Sequence, residues 1–114
     1  MSLQTDLVDA LNGAGIPAYL PGRAPGDCRT AHAVVTDGGT LQTGKTTGKR
    51  MFYITAYVPE ARPGDLAALV RAIPTAVRPV SACRATGDVS EAAFDEEKGA
   101  HYAAVEFAAL CSLI

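Results

Sequence analysis

The segment RMFYITAYV, residues 50–58, constrains the fold more than any other part of this sequence. Every even-numbered residue from Phe52 onward is apolar, and the residues between them include two tyrosines and a threonine. Successive side chains of a strand point to opposite faces, so this period of two predicts a β-strand with one apolar face. Pro59 then ends the strand, because proline has no N–H to give to a strand ladder.

Other segments carry weaker patterns of the same kind. Residues 2–12 have an apolar stripe at helical spacing, with Ser2 or Thr5 as the cap, and predict a first helix. A second helix opens at residues 62–65, has a stripe from Leu66 to Ile73 and is expected to end at Pro74. The remaining predicted elements are a short extended piece at 16–20 and strands over 31–37, around 79–84 and over 101–113.

Two connections are predicted to lie outside these elements. Residues 38–49 are rich in glycine, threonine and lysine and predict a long, mobile loop at the tip of a hairpin. Residues 87–99 are predicted to form an acidic connecting loop. The order α-β-β-α-β-β predicts one α+β domain over residues 1–114: a mostly antiparallel sheet of four to five strands, with two helices packed on one face.

Composition narrows the class of protein but not its function. The chain has 114 residues and a formal net charge of −2. That balance disfavours a general binder of nucleic acid or membrane surfaces, which needs a basic patch. No apolar run approaches ~18 residues, and no basic stretch precedes an apolar one at the N-terminus, so neither a membrane span nor a secretory signal is expected. Three widely spaced cysteines predict free thiols in a reducing compartment.

One segment matches a well-known motif. Residues 39–46, GTLQTGKT, fit the phosphate-loop pattern, in which backbone amides and a lysine at a helix N-terminus hold phosphates. The residues that follow alternate like a strand and form a poor helix. A small ligand- or nucleotide-binding domain using Gly39–Thr46 therefore remains an alternative, which a strand at 47–55 would weigh against.

Metal and catalytic motifs are weak. Cys28, His32, Cys83, His101 and Cys111 lack the close spacing of zinc ligands, and Cys83 and Cys111 lie in apolar strand patterns. No nucleophile motif or oxyanion turn accompanies the histidine near residues 95–97. We expect no catalytic residues, no metal and no cofactor.

A charge asymmetry supplies the candidate contact residues. The hairpin is basic and the 88–97 segment is acidic, so copies of the chain could associate head to tail and close a ring. Two solvated loops without a partner are the alternative. The candidate contact residues are Thr43, Lys45, Lys49, Arg50, Asp88, Glu91, Asp95, Glu96 and Glu97.

The order of elements resembles the minor capsid and tail terminator (head–tail joining) proteins of long-tailed bacteriophages and prophages. The resemblance covers nearly the whole chain and lies in five segments: the N-terminal helix ending in GAGIP, the strands AVVTDGG and FYITAYVP, the helix 66–73 and the final YAAVEF strand. These are pattern-level similarities and include no catalytic signature.

The resemblance implies a non-enzymatic virion assembly protein. Members of the family form a ring, often a hexamer, that caps the tail tube and joins it to the head connector. It therefore implies three partners (further copies of the chain, the tail tube protein and the connector protein) and no specific nucleic acid or membrane. It also implies a place in the tail or neck of a virion assembled in the bacterial cytoplasm. A head-completion or neck protein, which uses the same ring, is the neighbouring alternative.

Overall fold

The structure is a computed structural model that describes residues 2–113. It contains two helices and a six-stranded, mostly antiparallel sheet, which confirms the α+β class. The helices are α1 (Leu3–Gly13) and α2 (Asp65–Ala76). The strands are β1 (Ala18–Tyr19), β2 (His32–Gln42), β3 (Thr47–Pro59), β4 (Arg84–Val89), β5 (Ala93–Asp95) and β6 (Ala100–Ser112). No helix within residues 2–113 is long and apolar enough to span a membrane.

Strands β3 and β6 form the centre of the sheet. They pair antiparallel over thirteen residues, from Thr47 opposite Ser112 to Pro59 opposite Ala100. The strand order is β1-β2-β3-β6-β4, and β5 pairs with the start of β6. At a rise of roughly 3.3 Å per residue, this central pair is about 40 Å long. It runs along the long axis of a molecule that measures 48 × 26 × 24 Å.

The core lies between one face of the sheet and the two helices. The predicted apolar face of β3 is fully buried there, with Phe52 and Ile54 among the largest buried side chains, and Phe107 of β6 lies beside them. Leu7 and Leu11 of α1 and Ile73 of α2 cover this face. Ser2 caps α1, since its side-chain oxygen accepts the Thr5 N–H at 3.1 Å. The opposite face of the sheet has no helix on it, and we call it the open face.

Three predicted boundaries are wrong. Residues 79–84 form turns rather than a strand, and β4 begins only at Arg84. Residues 87–99 are not one loop, because β4 continues to Val89 and β5 pairs with β6. Helix α2 continues past Pro74 to Ala76, and the Val77 N–H still donates to the Ile73 carbonyl at 3.1 Å.

The predicted mobile loop at 38–49 is also wrong. Strand β2 extends to Gln42 and β3 starts at Thr47, so only residues 43–46 lie between them. The Thr43 and Gly44 N–H groups both donate to the Thr47 carbonyl, at 3.1 and 3.2 Å. Local composition predicts a loop here, but pairing of β3 with β6 extends the strands.

Candidate functional site

A three-stranded arm continues the sheet beyond the helices. It consists of residues 39–51 of the β2–β3 hairpin and residues 108–113 at the end of β6. Leu41 pairs with Lys49, and Lys49 pairs with Leu110, so these three side chains form a row across the arm. Lys49 lies on the open face, because the even-numbered residues of β3 face the helices. Leu41 is 58% exposed and Leu110 is 81% exposed, so the row is an apolar surface with one cation at its centre.

A β-bulge lies at the base of the arm. The register shifts between Asp37 and Gly39, which leaves Gly38 as the extra residue. Asp37 accepts a hydrogen bond from the Arg50 guanidinium and another from the Gly39 N–H at 2.9 Å. These contacts lower the pKa of Asp37, with the Arg50 hydrogen bond as the main cause. The candidate Arg50 is thus paired within its own chain, and its guanidinium lies 5.8 Å from the centre of the Phe52 ring.

The turn at the tip of the arm holds Thr43 and Lys45. The Gln42 side-chain amide donates to the Gly44 carbonyl at 2.8 Å, and the Leu113 N–H donates to the Thr46 carbonyl at 2.9 Å. The tip is therefore tied to both neighbouring strands. The phosphate-loop pattern of residues 39–46 ends in β3 rather than in a helix, so it lacks the helix N-terminus that phosphate binding by this motif requires.

A basic groove lies where the arm meets the first residues of β4. Its volume is about 280 Å³. Lys49 and Arg84 supply its positive charges, and Leu110 and Ala108 supply apolar surface. Arg84 pairs with Ala108 across β4 and β6, which places it beside the arm. Sequence reasoning missed Arg84 as a site residue, because it placed Arg84 at the end of a strand around 79–84, whereas Arg84 begins β4.

The acidic candidates lie along the β4–β5 edge rather than in one loop. Asp88 is on β4, where its N–H donates to the Thr86 hydroxyl at 3.3 Å, and Glu91 lies in the connection to β5. The corner formed by residues 94–97 lies farther along, where β5 pairs with the start of β6. This acidic corner contains Phe94, Asp95, Glu96 and Glu97. It lies at the opposite end of the long β3–β6 pair from the arm tip.

Lys98 follows the acidic corner but points into its own chain. Its ammonium donates to the Pro25 carbonyl at 2.9 Å and lies 4.6 Å from the centre of the Tyr57 ring. Its backbone carbonyl accepts the Cys28 N–H at 2.9 Å. Lys98 therefore fastens the loop of residues 20–31 over the open face, and its charge does not project from the corner.

A buried aromatic cluster lies beneath that loop. His32 is 3% exposed and stacks on Tyr57 with ring centres 5.2 Å apart, while Tyr102 lies on the other side of Tyr57. The His32 Nδ1–H donates to the Thr30 carbonyl at 2.9 Å, because a carbonyl can only accept. Burial is the main cause of the lowered pKa of His32 and of the raised pKa of Cys28. Tyr57 is thus half-buried, with His32 and Tyr102 on either side and the Lys98 ammonium against its ring.

The sulfur of Cys28 lies 3.9 Å from His32 Nδ1, and the other residues considered for a zinc site lie elsewhere. Cys83 is buried immediately before β4, and Cys111 is on the arm. All three cysteines are free thiols, as predicted. Within residues 2–113, no three His, Cys, Asp or Glu side chains are grouped so that they could hold a metal ion.

No protein-family model matches the chain, and no curated protein is significantly similar to it in sequence.

Proposed function

We propose that this chain is a non-enzymatic assembly subunit of a phage or prophage virion. It acts as a tail terminator or minor tail protein that forms a ring on the tail tube and joins it to the head connector. The observation that carries this proposal is the presence of two unlike, complementary surfaces on one chain: the apolar, basic arm and the β4–β5 edge with its acidic corner.

The exposed apolar residues support this division. Among residues 2–113, the large hydrophobic side chains that are exposed fall on these two surfaces. They are Leu41, Leu110 and Leu113 on the arm, and Val89 and Phe94 on the β4–β5 edge. Basic residues accompany the first group and acidic residues accompany the second. An exposed apolar surface that is surrounded by charged residues of one sign is typical of a protein interface whose partner carries the opposite charge.

The placement of these surfaces favours a ring. A symmetric dimer whose two-fold axis passes through either surface would bring two copies of that surface together and oppose like charges. When unlike surfaces pair instead, an open row of subunits has one surface unpaired at one end and the other surface unpaired at the other end. Such a contact forms a closed ring when its rotation is right, and a tube end is the kind of target that a ring fits.

The arm tip is the part of this subunit that we assign to the tube or connector. Thr43 and Lys45 are exposed there, at the end of the molecule farthest from the acidic corner. A head-completion or neck protein would use the same ring and differ only in the partner that the tip contacts. The proposal places the protein in the virion, after assembly in the bacterial cytoplasm.

Two experiments test the proposal. The first reads the genes flanking the gene for this chain, where we expect tail tube and portal genes. The second adds the purified chain to growing tubes of the tube subunit encoded there and images them by electron microscopy. We expect caps on one end of each tube and an arrest of growth.

Charge-reversed variants show which residues act in capping. Lys45→Glu should cap poorly, whereas Arg71→Glu, an exposed change on α2, should cap as well as the unaltered chain. Tubes that keep growing with the unaltered chain bound nowhere, or flanking genes unrelated to virions, would contradict the proposal.

A further inference from the structure

We infer that the basic groove beside the arm receives the acidic corner of a second copy of this chain. This inference rests on the head-to-tail ring proposed above, and it names the two parts that meet. Phe94 would enter the groove against Leu110 and Ala108, and the exposed carboxylates of Glu96 and Glu97 would face Lys49 and Arg84.

The groove has the chemistry to receive such a corner. Two cations flank an apolar floor, and among residues 2–113 the side chains that line the groove include no carboxylate. Glu106 is on the same strand as the floor, but the Thr86 hydroxyl donates to its Oε1 at 2.8 Å. Leu110 at the wall is the most exposed large hydrophobic side chain within residues 2–113. A groove of this kind favours an anionic segment that carries one apolar side chain.

The acidic corner is such a segment. Phe94 is 40% exposed, and its ring lies over His101 with centres 4.9 Å apart, which holds it in one place. Three carboxylates follow it directly, at positions 95–97. The Lys98 N–H donates to Asp95 Oδ1 at 3.1 Å and shapes the turn, while the ammonium of Lys98 is held against Pro25. The corner thus presents a net negative charge.

The groove has room for one large side chain. Its volume is about 280 Å³, and Leu110 and Ala108 give it the apolar surface that such a side chain would contact.

The occupant must come from another copy. The corner of the same chain pairs with residues 100–102 of β6, whereas the groove is built on residues 108–110 of that strand. Along a straight strand these positions are about 25 Å apart, so a subunit cannot fill its own groove.

A charge swap tests this contact. The groove variant carries Lys49→Glu and Arg84→Glu, and the corner variant carries Glu96→Lys and Glu97→Lys. Alone, each variant opposes like charges at every contact, so we expect its dissociation constant for self-association to rise about tenfold or more. An equimolar mixture should recover association, because each groove then meets a corner of opposite charge. A chain with all four changes should recover as well.

Sedimentation velocity at low salt measures these equilibria, and circular dichroism checks that each variant is folded. Arg62→Glu with Arg71→Glu, and Asp9→Lys with Asp65→Lys, are charge-matched controls at exposed positions on or beside the helices, and they should associate as the unaltered chain does. Phe94→Ser should weaken association without altering charge.

Three results would overturn the inference. The first is an unaltered chain that stays monomeric up to about 1 mM, a concentration that corresponds to weak binding. The second is a mixture that does not recover association. The third is a loss of association in the control variants as large as in the swapped variants. The tube-capping experiment is independent of these results. If the unaltered chain caps tubes and self-associates, but the charge-swapped variants associate equally well, the proposed function stands and this contact is wrong.

Discussion

Gly38 offers a sharp test of the bulge that sets the base of the arm. A Cβ added at this position would stand 2.3 Å from Tyr53 Cε2, 2.9 Å from Tyr53 Cδ2 and 3.3 Å from Met51 Cβ. The Tyr53 ring covers the glycine, as aromatic side chains often do beside a glycine in a sheet. Gly38→Ala must therefore move the ring or the strand.

The expected cost follows from this crowding. The φ angle of Gly38 is not positive, so alanine meets no backbone strain there. Forcing an extra carbon into a packed site costs typically about 1–3 kcal/mol. Against a global stability of roughly 5–15 kcal/mol, that loss is readily measured by urea denaturation. Gly26→Ala is the control, because nothing lies within 4 Å of the added carbon and its φ is ordinary, so its effect should stay within about 0.5 kcal/mol.

A second background separates crowding from strain. With Tyr53→Ala, the cost of Gly38→Ala should fall by about 1 kcal/mol or more, because the clashing ring is gone. Gly39 has φ +84°, so Gly39→Ala should cost about 1–2 kcal/mol with or without the Tyr53 ring. If Gly38→Ala is as mild as Gly26→Ala, or costs the same in both backgrounds, the packing of Tyr53 on the bulge is wrong.

Two further predictions concern the loop of residues 20–31. Burial lowers the pKa of His32 below its ordinary value of about 6.5. Between that value and the lower pKa of the folded state, the unfolded chain binds more protons than the folded chain. The free energy of unfolding therefore falls as the pH falls through that window. Urea denaturation at pH 7.5 and 5.5 should show this loss, and His32→Phe should make the profile flatter; an identical profile would refute it. Lys98→Met removes the contacts with Pro25 and Tyr57, so the loop should open more easily and tryptic cleavage after Arg23 should be about 5- to 30-fold faster. The control variant Lys45→Met should leave the cleavage rate unchanged. Equal rates in both variants would show that Lys98 does not fasten the loop.

The long central strands could be predicted because their pattern is local. Phe52, Ile54 and Val58 alternate with polar or aromatic residues, and the chain buries them on the side where the pattern places them. The same holds for Val105 and Phe107 in β6. Where one face is buried and the other is not, a period of two fixes the strand and its orientation.

The arm could not be predicted in the same way. Gly38, Gly39, Gly48 and Lys49 are of residue types that are depleted in strands, and their local pattern is that of a loop. They are extended because β6 pairs with β3 as far as Thr47 and Ser112, more than sixty positions apart in the sequence. The edge strand β4 was missed for a related reason: all its residues are exposed, so it has no apolar alternation to reveal it.

The sequence alone identified the charged residues of the candidate site but not their positions relative to one another. Lys49 and residues 95–97 lie on the two surfaces that the proposal brings together. Arg50 lies on the helix-facing side, where Asp37 binds it. The groove residue Arg84 emerges only from the pairing of β4 with β6, which local sequence does not encode.

Light scattering coupled to size exclusion, at low and high salt and at two protein concentrations, tests the central claim of head-to-tail assembly most directly. The account predicts a closed species whose mass is a fixed multiple of the monomer at low salt. That species should dissociate as salt rises, because exposed charge pairs are screened over about 8–10 Å at physiological ionic strength. A monomer under every condition, or association that salt does not change, would contradict it.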